Sequence, residues 1–224
     1  MSVVALVPVT GRTGQFGEPF LVDSGAPRDA GIFLLQPVLL QPALGNLLAS
    51  GRVDLVVLVV PSTQVDIAEK AIAEFGEKPI RVIGVEEIAF ASTNSIIAHT
   101  LPDIAAHVSD ISTVLVHALR HAYSPPDLVR QIVDEVEAGA PAVVPVLPCT
   151  DTVKELDESG VIIDTPDRAT LRVTQSPAGF AARLWRTGPG GWDQLPPGTR
   201  TIPGHPAARA IRTAFDLVFA KDSR

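Results

Sequence analysis

Short apolar runs of strand length recur along the first two thirds of this chain, and helical patterns lie between most of them. Each run is nearly continuous, as in strands that are buried on both faces of a sheet. Alternating strands and helices favour a mainly parallel sheet that is covered by helices on both sides. The sequence therefore predicts a doubly wound α/β fold, with strands at residues 3–9, 53–60, 80–83, 113–116 and 142–146.

Amphipathic segments predict the helices of this fold. In the first one, leucines repeat at i, i+3 and i+4, Gly51 ends the pattern, and Pro42 predicts a late start or a kink. Residues 187–203 are rich in Gly and Pro, which predicts a loop. No repeat or linker divides the chain, so we expect a single domain over residues 1–224. The helices are predicted at residues 37–50, 64–75, 124–139 and 206–220.

The composition limits the classes of partner. The chain has 25 acidic and 18 basic residues, a net charge of −7, and no basic stripe that would neutralise a nucleic-acid backbone. Its apolar runs are too short for a membrane span, and its start lacks the basic region of a signal peptide. A single cysteine supports neither a disulfide framework nor a cysteine-rich metal site. We expect a cytoplasmic protein that binds neither nucleic acid nor membranes.

A glycine-rich turn follows the first predicted strand, over residues 10–17. In many nucleotide-binding folds the backbone amides of such a turn hold phosphates, and an arginine adds a bidentate contact. The turn therefore predicts a nucleotide site at Gly11, Arg12 and Gly14. An ordinary loop is equally consistent with these residues.

The stretch from residue 142 to residue 180 carries the most polar chemistry. Its apolar run passes into Asp-Thr-Val-Lys at residues 151–154, and residues 157–160 form a turn between two β-branched runs. Polar groups that follow a buried strand lie where open α/β sheets bind ligands. The apolar triplet at 161–163 has little core of its own to cover it. We therefore expect a β-hairpin arm at about 151–168 that projects from the sheet and forms a homodimer.

Three motifs in this stretch occur in a recognisable order. The chain has Asp-Thr-Val-Lys at 151–154, Thr-Pro-Asp-Arg at 165–168 and Gln-Ser-Pro-Ala-Gly-Phe at 175–180. This series resembles the 2-C-methyl-D-erythritol 4-phosphate cytidylyltransferase family, whose patterns are Pro-Val-x-Asp-Thr-x-Lys, Thr-x-Asp-Arg and Gln-Thr-Pro-Gln-x-Phe. The resemblance implies a nucleotidyltransferase fold of the Rossmann-like, GT-A-like type. It also implies transfer of CMP from CTP to 2-C-methyl-D-erythritol 4-phosphate, in isoprenoid precursor synthesis.

The resemblance also implies roles for individual residues. Ser95 would contact the cytosine-bearing nucleotide, although a helix cap explains that serine equally well. Thr152 and Arg168 would hold the phosphate of the acceptor, across a dimer interface. Ser176 would stand beside them in place of the family's threonine.

Transfer of this kind requires in-line attack and neutralisation of the charge on the α-phosphate. Arg12 and Lys154 are the candidate catalytic cations. For Arg168, a surface ion pair with Asp164 or Asp167 is the competing interpretation, because charged neighbours are common on protein surfaces.

The chain departs from the family at positions near the nucleotide. Phe20 stands where the family has a lysine, and Pro203 falls where it has a substrate-binding lysine on a C-terminal strand whose motif is missing here. Ala118 replaces the aspartate that lies close to the phosphates and the metal. The resemblance implies Mg²⁺ as the cofactor, yet an alanine offers no oxygen ligand, so we assign no residue as a metal ligand.

Two functions therefore remain open from the sequence. One is a cytidylyltransferase that binds a nucleotide and a small phosphorylated substrate. The other is a catalytically impaired relative that binds a nucleotide, a sugar phosphate or a partner protein without turnover, because the loss of several cationic and metal contacts lowers rates steeply.

Overall fold

The secondary structure comes from a computed structural model, which describes residues 1–9, 37–86, 93–184, 195–211 and 216–218. The longer strands are β1 (Ser2–Pro8), β2 (Leu55–Pro61), β3 (Ile80–Val85), β4 (Ile111–Val116) and β5 (Ala142–Pro148). The shorter strands are β6 (Glu155–Leu156), β7 (Ile162–Asp164), β8 (Arg172–Thr174), β9 (Ala178–Ala181) and β10 (Arg200–Pro203). The longer helices are α1 (Pro37–Ala49), α2 (Val65–Ile72), α3 (Thr93–Ala105) and α4 (Pro126–Glu137).

Most strands belong to one mixed sheet, in the order β10-β5-β9-β4-β1-β2-β3. β8 lies outside this order and pairs antiparallel with the end of β5. The strands β4, β1, β2 and β3 are parallel to one another, and β10 is parallel to β5. β9 runs antiparallel to both of its neighbours, β4 and β5. The predicted α/β fold with a mainly parallel sheet is therefore confirmed, and all five predicted strands are present.

The two faces of β1 pack against different helices. Its odd-numbered residues join a buried cluster with apolar residues of α1 and α4. Val4 and Leu6, which point the other way, pack with Ile96 and Ile104 of α3. Burial on both faces explains why the run is continuous rather than alternating. In the ranges that the structure describes, no helix is long and apolar enough to cross a membrane.

Helix α1 begins at Pro37 and continues through Pro42, so the predicted late start is wrong, while the predicted kink stays a prediction. A proline inside a helix removes the hydrogen bond to the carbonyl four residues earlier, here that of Val38. The Tyr123 hydroxyl donates to this carbonyl at 3.2 Å. A side chain from outside the helix thus replaces the bond that Pro42 cannot make.

The predicted loop at 187–203 is wrong for its last part, because Arg200–Pro203 forms strand β10. This strand pairs in parallel with β5, from Arg200 opposite Val143 to Pro203 opposite Val146. The pairing uses main-chain groups, so a strand is present here although the family's C-terminal motif is not. Proline is tolerated because β10 is an edge strand.

The predicted helix at 206–220 is also wrong at its start. Pro206–Ala208 forms a single 3₁₀ turn, after which the backbone is extended at Arg209. The backbone N–H of Ile211 donates to the carbonyl of Arg120 at 2.7 Å. This contact ties the segment to the residues after β4 instead of continuing the helix.

The predicted hairpin is present, since β6 and β7 form a two-stranded sheet of their own, while its part in a homodimer stays a prediction. At its turn, one carboxylate oxygen of Asp157 accepts from the backbone N–H groups of Ser159 and Val161, both at 2.9 Å. The hairpin carries large apolar side chains that are more than half exposed, namely Leu156, Val161, Ile162 and Ile163. These four residues are called the arm patch below.

Candidate functional site

The carboxyl ends of β1, β4 and β5 lie at the same edge of the sheet. The ladder between β1 and β4 reaches Leu6 and Val116, and the N–H of His117 extends it by donating to the Leu6 carbonyl at 2.8 Å. β5 ends at Pro148 and continues into the polar segment 149–152. Open α/β sheets bind ligands at this edge.

The predicted nucleotide residues follow β1 and β3. Gly11, Arg12 and Gly14 lie outside the described residues, so their role stays a prediction. Ser95 lies in the first turn of α3, and its side chain also falls outside the described part of the structure.

Arg168 and the segment that carries Thr152 lie together at the base of the arm. Thr152 is exposed and follows β5. Arg168, in a 3₁₀ turn that follows the arm, donates from its Nη1 to the Thr150 carbonyl at 3.0 Å. Lys154 lies farther along the arm, where its Nζ donates to the Thr165 hydroxyl at 2.8 Å. The structure thus brings Arg168 close to the segment that carries Thr152, and it places Lys154 on the hairpin.

The competing interpretation of Arg168 finds no support in its neighbours. The Asp167 carboxylate accepts from the N–H of Ala169 at 2.9 Å, and that of Asp164 accepts from the N–H of Thr165 at 2.7 Å. Among the described residues no ion pair joins Arg168 to either aspartate. Its guanidinium is exposed, with a donor directed at the main chain of the acceptor segment.

Ser176 is fully buried at the end of β4, in the turn between β8 and β9. Its hydroxyl oxygen accepts from the N–H of Ala118 at 2.8 Å and lies 3.0 Å from Nδ1 of His117. These contacts are all within the protein. Its role as an acceptor ligand stays a prediction.

Two further polar residues complete this buried cluster. The Ser124 hydroxyl lies within hydrogen-bond distance of two carbonyls, that of His121 at 2.9 Å and that of Ser176, and it donates its one proton to either of them. Nδ1 of His121 is 2.8 Å from the carbonyl of Ala208, in the C-terminal segment. The cluster therefore connects the residues after β4 to the Ser176 turn and to the C-terminal segment. We call His117, His121, Ser124 and Ser176 the buried polar cluster.

Burial determines the charge of His117, whose side chain is only 1% exposed. The loss of hydration is the main cause that lowers its pKa, and the neighbouring His121 adds to it, so that the pKa falls to about 3. The imidazole is therefore neutral near pH 7. A neutral imidazole has one nitrogen that donates and one that accepts.

Gln175 fixes the C-terminal segment from the other side of Ser176. Its amide nitrogen donates to the His205 carbonyl at 2.9 Å, and its amide oxygen accepts from the His205 N–H at 2.8 Å. Gly204 lies so close that an added Cβ would be 2.2 Å from that amide oxygen. These pairings were not predicted from the sequence. The only signal for them was the presence of polar residues directly after buried strands.

Ala118 follows His117 at the end of β4, and the replacement of a metal-side aspartate there stays a prediction of the sequence. The Ala118 side chain is buried, and its backbone N–H donates to the Ser176 hydroxyl oxygen. In the part of the chain that the structure describes, no group of three or more His, Cys, Asp or Glu is placed to hold a metal ion. The described residues thus offer no cage of three protein ligands for Mg²⁺, an ion that proteins commonly hold through one or two carboxylates together with substrate phosphates.

Comparison with known proteins covers almost the whole chain. The sequence model of the 2-C-methyl-D-erythritol 4-phosphate cytidylyltransferase family matches residues 4–188. A protein of that name from Saccharopolyspora erythraea is 39% identical over 99% of this chain and 98% of its own length. One from Nocardia farcinica is 36% identical over 98% of this chain and 93% of its own length.

A solved structure supports the fold as well. The crystal structure of 4-diphosphocytidyl-2C-methyl-D-erythritol synthase from Anaerococcus prevotii matches with a TM-score of 0.66 and 18% identity. The match covers 99% of this chain and 97% of that one. By its sequence, the chain belongs to the 2-C-methyl-D-erythritol 4-phosphate cytidylyltransferase family.

Proposed function

We propose that this protein transfers the cytidylyl group of CTP to 2-C-methyl-D-erythritol 4-phosphate. In this reaction a phosphate oxygen of the acceptor attacks the α-phosphorus of CTP, and pyrophosphate leaves. The observation that carries the proposal is the 39% identity to a relative of that name over 99% of the chain. The alternative, a relative that binds without turnover, has no support from the comparisons.

The geometry supports a division of the site into two sides. Gly11, Arg12, Gly14 and Ser95 are proposed to bind the nucleotide, because they follow the carboxyl ends of β1 and β3. Thr152, Arg168 and Ser176 are proposed for the acceptor side, since the segments that carry them follow β5 or pair with it. A guanidinium suits a phosphate because its donors match two oxygens at once.

The family depends on Mg²⁺ in general, and when bound such an ion neutralises charge on the phosphates. Because Ala118 offers no ligand, we propose no protein ligand for it here. Arg12 and Lys154 are proposed as the cations that this chain itself provides near the reacting phosphates.

The transfer is tested by pyrophosphate release from CTP and 2-C-methyl-D-erythritol 4-phosphate in the presence of Mg²⁺. We expect turnover in the common range of about 1–10³ s⁻¹, with none when the acceptor is omitted. An Ala118→Asp, Phe20→Lys double variant, run in parallel, tests whether the two departures from the family limit the rate. No product from the unmodified chain, with the cytidylyl product sought by mass spectrometry, would favour the non-catalytic alternative.

We also propose that the arm patch joins two copies of the chain. More than half of each of its four side chains is exposed, and little of the chain's own core is available to cover them. Light scattering at micromolar concentration is expected to give the mass of a dimer. An Ile162→Asp, Ile163→Asp variant should give a monomer.

Ile67→Asp is the matched control for the arm, because Ile67 is an isoleucine on α2 that is 41% exposed. It should leave the dimer intact. A monomeric unmodified protein, or a dimer that persists in the arm variant, would contradict the proposal.

A further inference from the structure

We propose that His117 is a positioning residue for the acceptor side of the site. It holds the Ser176 hydroxyl, and with it the turn of residues 175–177, against the end of β4. This inference rests on the proposed function, because it concerns the acceptor named there. His117 touches no reacting atom in this scheme, so its effect passes through Ser176.

The hydrogen bonds around Ser176 assign the direction of this contact. The N–H of Ala118 donates to the Ser176 hydroxyl oxygen, so the hydroxyl must send its own single proton elsewhere. Nδ1 of His117 lies at 3.0 Å, whereas the Val116 carbonyl is farther away at 3.5 Å. Hydroxyl oxygens donate best at about 2.7–2.8 Å, so the nearer nitrogen is the better acceptor. His117 then accepts at Nδ1 and carries its proton on Nε2.

The turn that this contact holds is bonded both to the end of β4 and to β5. Ser176 is bonded to the end of β4, while the N–H of its neighbour Gln175 donates to the Pro145 carbonyl of β5 at 2.8 Å. β5 is the strand that leads into the segment with Thr152. One buried hydroxyl therefore sets how the acceptor segment lies relative to the strand end after β4. A misplacement of about 1 Å at such a point can cost about 10²-fold in rate.

Loss of a merely structural hydrogen bond would lower stability but would not weaken the binding of one substrate more than that of the other. Ser50 offers a matched control for that case. Ser50 is also buried, and its hydroxyl donates to the Leu47 carbonyl and accepts from the N–H of Arg52. It follows α1 and precedes β2, at the opposite edge of the sheet from the site. Ser50→Ala removes a buried hydroxyl just as Ser176→Ala does, but far from the acceptor.

The test compares the dissociation constants of the two substrates, measured separately by calorimetry so that no turnover is needed. We expect His117→Leu and Ser176→Ala each to weaken binding of 2-C-methyl-D-erythritol 4-phosphate by roughly tenfold or more. Binding of CTP should stay within about twofold. Their double variant should bind the acceptor no worse than the weaker single variant, because both changes remove the same contact.

His117→Asn is the rescue, since an asparagine amide places a polar atom near the position of Nδ1. We expect it to keep acceptor binding within about threefold of the unmodified protein. Ser50→Ala should lower the melting temperature but change neither dissociation constant. Equal losses for both substrates, additive losses in the double variant, or an asparagine variant as weak as the leucine variant would each overturn the proposal.

The outcomes separate this inference from the proposed function. Acceptor binding without turnover would overturn the transferase and leave the positioning test intact, whereas no acceptor binding at all would overturn both. If His117→Leu does not fold, nitrogen NMR of the imidazole decides the contact. We expect the proton on Nε2 in the unmodified protein and a changed Nδ1 shift in Ser176→Ala. A proton on Nδ1 would overturn the assignment.

Discussion

Replacing Arg168 with alanine is expected to raise the KM for 2-C-methyl-D-erythritol 4-phosphate by roughly 10- to 100-fold and to leave the KM for CTP nearly unchanged. A hydrogen bond to a charged group contributes about 1.5–3 kcal/mol, which corresponds to that range. In the structure, Nη1 of Arg168 donates to the Thr150 carbonyl, so the guanidinium is held next to the segment with Thr152. Its remaining donors have the geometry that a phosphate requires.

Arg172 provides a matched control for this variant. It is an exposed arginine that follows the same 3₁₀ turn, and its Nη1 donates to the carbonyls of Ala169 and Leu171, both at 2.8 Å. Arg172→Ala therefore removes a surface charge near the arm without touching the acceptor segment, and the KM of the acceptor should change by less than about threefold. If both variants raise this KM equally, the effect of Arg168 is one of general charge. If Arg168→Ala changes no KM, its role as an acceptor ligand is wrong.

The strands were predictable because each leaves a local signal. In β1 and β2 burial on both faces demands an apolar residue at nearly every position, and this appears directly as a continuous run. The arm was predictable for the opposite reason. Residues 161–163 are apolar although the neighbouring sequence is polar, and the structure leaves them exposed.

β9 left no such signal, because its place depends on contacts with distant residues. It consists of Ala-Gly-Phe-Ala and lies antiparallel between β4 and β5. Gly179 faces α4 so closely that an added Cβ would be 2.5 Å from Cγ2 of Ile132. Only the packed structure shows that a side chain does not fit at this position. β10 was missed likewise, since its pairing with β5 uses main-chain groups.

The residues of the candidate site also differ in whether the sequence predicted them. Thr152 and Arg168 were predicted from motifs close together in the sequence, and the structure places Arg168 against the carbonyl of Thr150. His117 and Ser176 are separated by 59 positions, and their contact is buried. A family motif drew attention to Ser176 but gave no sign of its partner. Buried polar pairs of this kind become visible only when the strands that carry them are placed side by side.

Lowering the pH is expected to destabilise this protein more steeply than a His117→Asn variant. The pKa of His117 falls to about 3 in the folded protein, from an ordinary value of 6.5, mainly because burial removes the hydration of the charged form. The unfolded chain therefore binds a proton that the folded protein does not bind. The corresponding stability is fully present above about pH 6.5 and is lost as the pH falls towards 3.

The size of this pH effect follows from the one proton that His117 binds in the unfolded chain and not in the folded protein. The free energy of unfolding should fall by up to about 1.4 kcal/mol for each pH unit between roughly pH 6 and pH 4, in addition to the contribution of the carboxylates. Those carboxylates, including Asp157, whose pKa is lowered mainly by its hydrogen bond from Ser159, are the same in both proteins. The difference between the two pH dependences therefore isolates His117.

Urea unfolding at several pH values between 4 and 8 measures this difference. We expect the variant to be less stable at pH 7, because an asparagine packs less well, but its curve should be flatter at acid pH. His107→Asn is the control, because His107 is an exposed histidine in the turn that follows α3. It should keep the slope of the unmodified protein. Parallel curves for the unmodified protein and His117→Asn would show that the pKa of His117 is not lowered in the folded protein, and the account of an imidazole that stays neutral at acid pH would then be wrong.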